Sequence, residues 1–150
     1  MTLRPKTRRA AFTLVEVMIV VVIMSIVVGA AIPQFTDSAK DARTSGAMMN
    51  VSLMRKQIEL YKQHHNGLYP AQLGDLALRS DAAGNIGTTS AYIYGPYIRE
   101  VPINPFTSSA KVAPATTNPP SAASGASDAG WLYHAASGGV WIDNPDLLTQ

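Results

Sequence analysis

The sequence FTLVEVMIVVVIMSIVVGAAI, residues 12–32, decides the fold of this chain. It is the only long apolar run, and Glu16 is its only charged side chain. As a helix that rises 1.5 Å per residue, this stretch is about 31 Å long, which matches the hydrocarbon core of a bilayer. The stretch therefore predicts one membrane-spanning helix and excludes a protein with several spans.

Basic residues lie on the N-terminal side of this helix. The chain has 12 lysines and arginines, and those that precede the span are Arg4, Lys6, Arg8 and Arg9. Because such residues favour the cytoplasmic side of a membrane, we expect the N-terminus in the cytoplasm and the chain beyond about residue 35 outside it. From residue 12 onward, acidic side chains outnumber basic ones, so we expect no nucleic-acid partner.

The composition of the whole chain excludes much catalytic chemistry. Without cysteine, it forms no disulfide, no thiolate zinc site and no cysteine nucleophile. The sequence also contains no phosphate-binding loop, dinucleotide-binding fingerprint, zinc-ligand spacing or pair of catalytic acids. The adjacent His64 and His65 point about 100° apart on a helix and do not readily share a metal ion, so we interpret them as a solvated helix end. We therefore expect a protein that is not an enzyme.

Three interpretations of the N-terminal segment compete. A secretory signal peptide cut near Ala30 or Ala31 would have a shorter apolar core. Arg8-Arg9 suggests a twin-arginine signal, but such signals are only mildly hydrophobic. The third interpretation is a membrane anchor that stays uncut or is trimmed at its N-terminus. Glu16 favours the anchor, because an ionised side chain within a span costs about 2.5–3.5 kcal/mol and marks a functional residue unless it reaches the headgroups.

Residues 11–16 read AFTLVE, between a basic leader and the apolar helix. This pattern resembles the class III signal of type IV pilins and type II secretion pseudopilins. The resemblance implies that a prepilin peptidase cleaves between Ala11 and Phe12 and N-methylates Phe12. It also implies a role for Glu16 in subunit assembly. The sequence departs from the family at Ala11, where glycine is usual.

These features predict three parts of the chain. They are a cleaved basic leader (1–11), a transmembrane and polymerisation helix (12–35) and a periplasmic globular domain (36–150). Pro33 predicts a kink, because proline removes one helix hydrogen bond. The resemblance implies that the helix continues beyond this bend. An apolar stripe at helical spacing supports one helix from about 12 to 65, and its members are Ala47, Val51, Met54, Ile58 and Tyr61.

The globular domain contains further motifs. Residues 94–97 (YGPY) and 101–106 (VPINPF) resemble segments of the major pseudopilin of type II secretion. Residues 107–130 are low-complexity, since Ala, Ser, Thr, Pro and Gly make up all but four of them, and predict a mobile loop.

Apolar residues recur at every second position on either side of Ser137-Gly138-Gly139, and this alternation predicts a β-hairpin over residues 131–143. We expect its apolar face to pack on the long helix, and this face consists of Trp131, Tyr133, Val140 and Ile142. The expected fold is therefore α+β and pilin-like, with a long bent N-terminal helix packed by a small antiparallel β-sheet and loops.

The resemblance also implies a calcium site in the C-terminal loops. The candidate ligands are Asp128, Asp143, Asn144 and Asp146. Calcium takes six to eight oxygen ligands, and the acidic, glycine-rich calcium loop of the family is not recognisable. We interpret these residues as solvated turn residues. No cofactor is expected to be required, and calcium stays the one candidate.

The resemblance implies a structural subunit in the bacterial inner membrane that forms a periplasmic pseudopilus for type II secretion. Its implied partners are further copies of itself, prepilin peptidase, minor pseudopilins, an inner-membrane assembly platform, a secretion ATPase and, before assembly, membrane lipid. Two alternatives stay open. One is a type IV pilin or minor pilin for adhesion, motility or DNA uptake, and the other is a membrane-anchored periplasmic binding or enzyme domain.

Overall fold

The computed structural model describes residues 12–148, without the side chains of residues 33 and 34. Helix α1 runs from Leu14 to His64, and a short 3-10 helix follows at Leu73–Ala77. Strands β1 (Val112–Pro114), β2 (Trp131–His134) and β3 (Gly139–Ile142) complete the fold. The α+β, pilin-like fold is therefore confirmed. Contacts divide the chain into one unit up to Lys40 and a second unit from Asp41 onward.

The predicted single helix is confirmed to within two residues at its N-terminus and one residue at its C-terminus. Helical backbone continues through Pro33, as the resemblance implied. The kink at Pro33 stays a prediction.

The core of the second unit lies between α1 and the β2–β3 hairpin. The predicted stripe on α1 is buried, with Met54 at 0% exposure, and it belongs to one apolar cluster with Trp131, Tyr133, Val140 and Ile142. The two aromatic side chains on the hairpin face that packs against α1 bury their polar ends with partners. The Trp131 Nε1–H donates to the Pro102 carbonyl at 2.7 Å, and the Tyr133 hydroxyl donates to the Pro70 carbonyl at 2.7 Å. The predicted packing of the hairpin on the helix is confirmed.

The sheet differs from the prediction in one strand. Strands β2 and β3 form the expected antiparallel hairpin, with Trp131 opposite Ile142. Strand β1 pairs with β2 in parallel, so the sheet is mixed. The segment that was expected to be a mobile loop therefore contains a strand at Val112–Pro114. Three residues without alternating polarity give no strand signal, and it is β2 that supplies their hydrogen-bond partners.

Gly130 allows β1 to approach the start of β2. Its N–H donates to the Lys111 carbonyl at 2.9 Å. A Cβ atom at this position would lie 2.3 Å from the Ser109 carbonyl oxygen, which is a steric clash. The buried Asn104 strengthens the same corner, because its side-chain N–H donates to the Gly130 carbonyl at 2.5 Å and its Oδ1 accepts the Phe106 N–H at 2.8 Å. The VPINPF segment therefore fastens the start of β2.

The hairpin is buried on both faces. Leu132 and Trp141 point away from α1 and pack with Leu148, next to Ala113 and Ala115. Alternation in the sequence distinguishes the two faces but not their burial, because the cover on the second face comes from β1 and the C-terminal turn. This second cluster was not predicted.

His65 corrects another interpretation, since it is fully buried rather than solvated. Its Nδ1 lies 2.6 Å from the Tyr61 carbonyl, which accepts the Nδ1–H, and its Nε2 lies 2.8 Å from the Ser80 hydroxyl. The imidazole also stacks on the Tyr61 ring at 3.7 Å. Tyr97 packs beside them. The pKa of Tyr97 is raised to about 12, mainly by burial and to a smaller extent by the charges of neighbouring tyrosines. The YGPY segment thus folds over the end of α1.

We predict that Met54→Asp unfolds a truncated chain that begins at residue 36. The wild-type truncated chain should be folded and monomeric, because the apolar half of α1 is removed. An aspartate at position 54 would place a carboxylate in the apolar core without a partner, at a cost of several kcal/mol. Thermal melting followed by circular dichroism measures the effect.

Met49→Asp is the matched control, because Met49 lies on the same helix with 76% of its surface exposed. It should melt within a few degrees of wild type. If Met54→Asp melts like Met49→Asp, the assignment of the core face of α1 is wrong.

Candidate functional site

The N-terminus of α1 carries the residues that the sequence marks as functional. Phe12 is 83% exposed, and the helix begins two residues later. The Glu16 N–H donates to the Thr13 hydroxyl at 3.2 Å, and the Glu16 carboxylate accepts the Thr13 backbone N–H at 3.3 Å. These reciprocal bonds form a capping box with Thr13 as the N-cap.

The capping box gives Glu16 a role that the sequence analysis missed. A carboxylate in the first turn satisfies a free backbone N–H and interacts favourably with the helix dipole. The spacing threonine, two residues, glutamate before an apolar run is itself the signal for this motif, so the sequence could have revealed it. Glu16 is exposed, and its carboxylate therefore stays accessible to other groups.

The apolar part of α1 presents its side chains outward. Within residues 14–32, side chains such as Val20, Val22 and Ile26 are about half exposed or more. The one hydroxyl side chain in this range, Ser25, makes its bond within the helix, because it donates to the Val21 carbonyl at 2.8 Å. The helix is long and apolar enough to cross a membrane, and its backbone and hydroxyl groups need no water there.

The structure describes the other predicted assembly residues only in part. Ala11 and the basic leader lie outside the described residues, so the cleavage site between Ala11 and Phe12 is seen only on its Phe12 side. Pro33 is helical. The cleavage site, the N-methylation of Phe12 and the kink all stay predictions.

The calcium candidates Asp128 and Asn144 each have a partner within the protein. Asp128 pairs with Lys111, which lowers the pKa of the Asp128 carboxyl through a hydrogen bond and charge attraction. Asn144 accepts the Asp146 N–H at 2.9 Å through its Oδ1. Among residues 12–148, no three His, Cys, Asp or Glu side chains come close enough to hold a metal ion. Asp143 is buried and accepts the Ser124 N–H, so its interpretation as a solvated turn residue is wrong. Calcium binding stays an open prediction.

A groove beside β1 has a volume of about 570 Å³. Alanine, glycine, valine and proline provide most of its lining, and Tyr133 is its only ionisable side chain. The Tyr133 hydroxyl donates to the Pro70 carbonyl, and burial raises its pKa above the usual value. The groove therefore offers no pair of groups for acid–base catalysis.

Known proteins share both the N-terminal motif and the globular domain. Residues 6–32 match the family described as the prokaryotic N-terminal methylation motif. The chain is also 30% identical over 105 residues to type II secretion system core protein G of Aeromonas hydrophila, which covers 67% of this chain and 70% of that protein. The chain belongs to the type II secretion core protein G family.

Two further relatives support this assignment. Core protein G of Pseudomonas aeruginosa is 28% identical over 116 residues, which is 76% of this pseudopilin and 80% of the relative. Competence protein ComGC of Halalkalibacterium halodurans is 37% identical over 65 residues, which is 43% of this chain and 64% of that protein. No solved structure matches the chain.

Membership of this family explains the architecture of the site. The pseudopilin is a structural, pilin-like protein and not an enzyme, as its relatives are. The methylation motif and the apolar helix together indicate an N-terminal membrane anchor. Phe12 and Glu16, which the sequence analysis marks as functional, are both exposed at the start of α1.

Proposed function

We propose that this pseudopilin is the structural subunit of a periplasmic filament that drives type II protein secretion. The observation that carries the proposal is the 105-residue match to core protein G, because it extends well beyond the helix that pilins and pseudopilins have in common. The proposal includes the division of the chain into a cleaved leader (1–11), an anchor (12–35) and a periplasmic domain (36–150). The basic leader supports a cytoplasmic N-terminus.

Assembly would transfer the exposed apolar surface of α1 from lipid to neighbouring helices. In lipid this surface is solvated by acyl chains, so close packing and paired polar groups have to stabilise the filament. Extraction from the membrane requires work, and the sequence contains no nucleotide-binding motif. An assembly platform and a secretion ATPase are therefore proposed partners, together with prepilin peptidase and minor pseudopilins.

Glu16 would set the axial register of the subunits. Cleavage after Ala11 leaves a free amine on Phe12, which lies two residues before the start of α1 and one turn from Glu16. The amine of an incoming subunit could then meet the exposed Glu16 carboxylate of its neighbour. Two unit charges 4 Å apart attract by about 4 kcal/mol at an effective dielectric constant near 20. This attraction would offset part of the cost of holding each charge near lipid.

A second candidate function is a pilus role in competence. The relationship to competence protein ComGC supports it, since that relative is 37% identical over 65 residues. This match spans 43% of the chain, against 67% for core protein G of Aeromonas hydrophila. The wider match favours secretion.

The mature chain should begin at Phe12 and carry one additional methyl group. Intact mass and N-terminal sequencing of protein extracted from membranes measure this directly. A chain that begins at residue 1, or near Ala31 as after a conventional signal peptidase, would contradict the proposed processing.

Two substitutions at position 16 separate the charge of Glu16 from its capping role. Glu16→Gln keeps a side chain that completes the capping box but removes the charge, whereas Glu16→Leu removes both. Both variants should insert and be cleaved, and both should form filaments poorly in sedimentation and electron microscopy. If Glu16→Gln assembles like wild type and Glu16→Leu does not, the helix cap rather than charge pairing is what assembly requires.

Deletion of the gene that encodes this protein tests the function of the filament. The deletion strain should retain type II substrates in the periplasm, and the wild-type chain on a plasmid should restore their secretion. Immunoblots of periplasm and culture medium measure the distribution. Normal secretion together with lost DNA uptake would favour the competence role instead.

A further inference from the structure

The low-complexity segment 107–130 is fastened to the sheet by one buried carboxylate. Asp143 follows β3 directly and is 8% exposed. Its Oδ1 accepts the Ser124 backbone N–H at 2.8 Å, and its Oδ2 accepts the Ser124 hydroxyl hydrogen. Ser124 lies near the middle of the part of the segment that follows β1, so this contact joins the loop to the end of β3.

The direction of each hydrogen bond in this contact is determined. The Ser124 Oγ accepts the Ala126 N–H at 3.2 Å, so its own hydrogen is available for the carboxylate. Both carboxylate oxygens therefore receive donors from one residue. Hydrogen bonds to an ionised carboxylate are roughly twice as strong as neutral ones.

Backbone bonds hold the same loop at its base. The Asp143 N–H donates to the Gly130 carbonyl at 3.1 Å, while Gly130 and Trp131 both donate to the Lys111 carbonyl. The exposed Lys111–Asp128 ion pair also joins the two ends of the loop. Ion pairs on the surface contribute little to the free energy of folding. Asp143 and Ser124 thus provide the side-chain contact that holds the part of the segment beyond the base.

The candidate calcium ligands already have protein partners. Asp143 accepts from Ser124, Asp128 pairs with Lys111, and the Asn144 Oδ1 caps the Asp146 N–H. Calcium needs six to eight oxygens that converge, and within the described residues these carboxylates do not gather. A calcium ion at Asp143 would have to share the carboxylate oxygens with the two Ser124 donors.

We infer that the Ser124–Asp143 contact fastens the 107–130 segment in place of a calcium ion, so that the segment keeps its position without calcium. Ser124 supplies the N–H and O–H donors that stabilise the buried carboxylate by hydrogen bonding. This role goes beyond the proposed function and does not depend on it, because it concerns how the globular domain closes. Ser124 and Asp143 are positioning residues for β1, which lies in the same segment.

The first experiment uses the wild-type full chain in detergent micelles, with excess calcium or with EGTA. Thermal melting and limited digestion by elastase, which accepts small side chains, measure stability and access to the alanine-rich segment. Neither the melting temperature nor the cleavage rate within 107–130 should differ between the two conditions. Calcium-dependent protection that EGTA reverses would overturn the inference.

The second experiment removes the contact from each side. Asp143→Asn removes the charge and replaces one of the two acceptor oxygens by an N–H₂ group, and Ser124→Ala removes the hydroxyl donor. Either change should lower the melting temperature by roughly 4–8 °C and accelerate cleavage within 107–130. The double variant should melt at about the same temperature as the less stable single variant, because both substitutions disrupt the same contact.

Asp128→Asn is the matched control, since it makes the same substitution at the exposed ion pair in the same segment. It should melt and be cleaved like wild type. If Asp143→Asn fails to fold, Ser124→Ala still reports on the contact through the cleavage rate. A wild-type cleavage rate for Ser124→Ala, or equal effects of Asp128→Asn and Asp143→Asn, would overturn the inference.

Discussion

Packing between α1 and the β2–β3 hairpin is the interaction on which the globular domain depends. Met54 and Ile58 occupy the middle of the buried helix face, and Trp131 and Val140 lie in the same cluster. The hairpin brings Trp131 and Tyr133 into this contact, and each has its polar atom satisfied by a backbone carbonyl. A short hairpin is marginally stable alone, so the helix provides the surface that keeps it folded.

The same helix presents two kinds of surface along its length. Its apolar N-terminal part exposes valine and isoleucine side chains, whereas from Ala47 onward one face is buried in a core. The first kind of surface suits lipid or neighbouring helices, and the second suits a globular domain. Glu16 begins the apolar part with a capping box, so a residue that is costly within a membrane also completes the start of the helix.

Small motifs after the helix have separate structural tasks. Gly95, in the YGPY segment, has a φ of +76°, and a Cβ there would lie 2.5 Å from the Leu78 carbonyl oxygen, so the chain can pass only with glycine. Asn104 fastens the VPINPF segment to Gly130. His65 joins the end of α1 to Ser80. These contacts explain why segments with little regular secondary structure hold a defined course.

The sequence by itself determined the elements that periodicity and composition encode: the apolar run at 12–32, the helix to His64, the core stripe and the β2–β3 hairpin. Each depends on neighbours within a few residues, which a pattern records directly. Only the tertiary structure decided the parallel strand β1, the burial of His65 and the contact of Ser124 with Asp143. These features join residues 15 to 19 positions apart in the chain. Side chains as common as serine and alanine carry no signal of such distant partners, because their partners are fixed only when the helix and hairpin have packed.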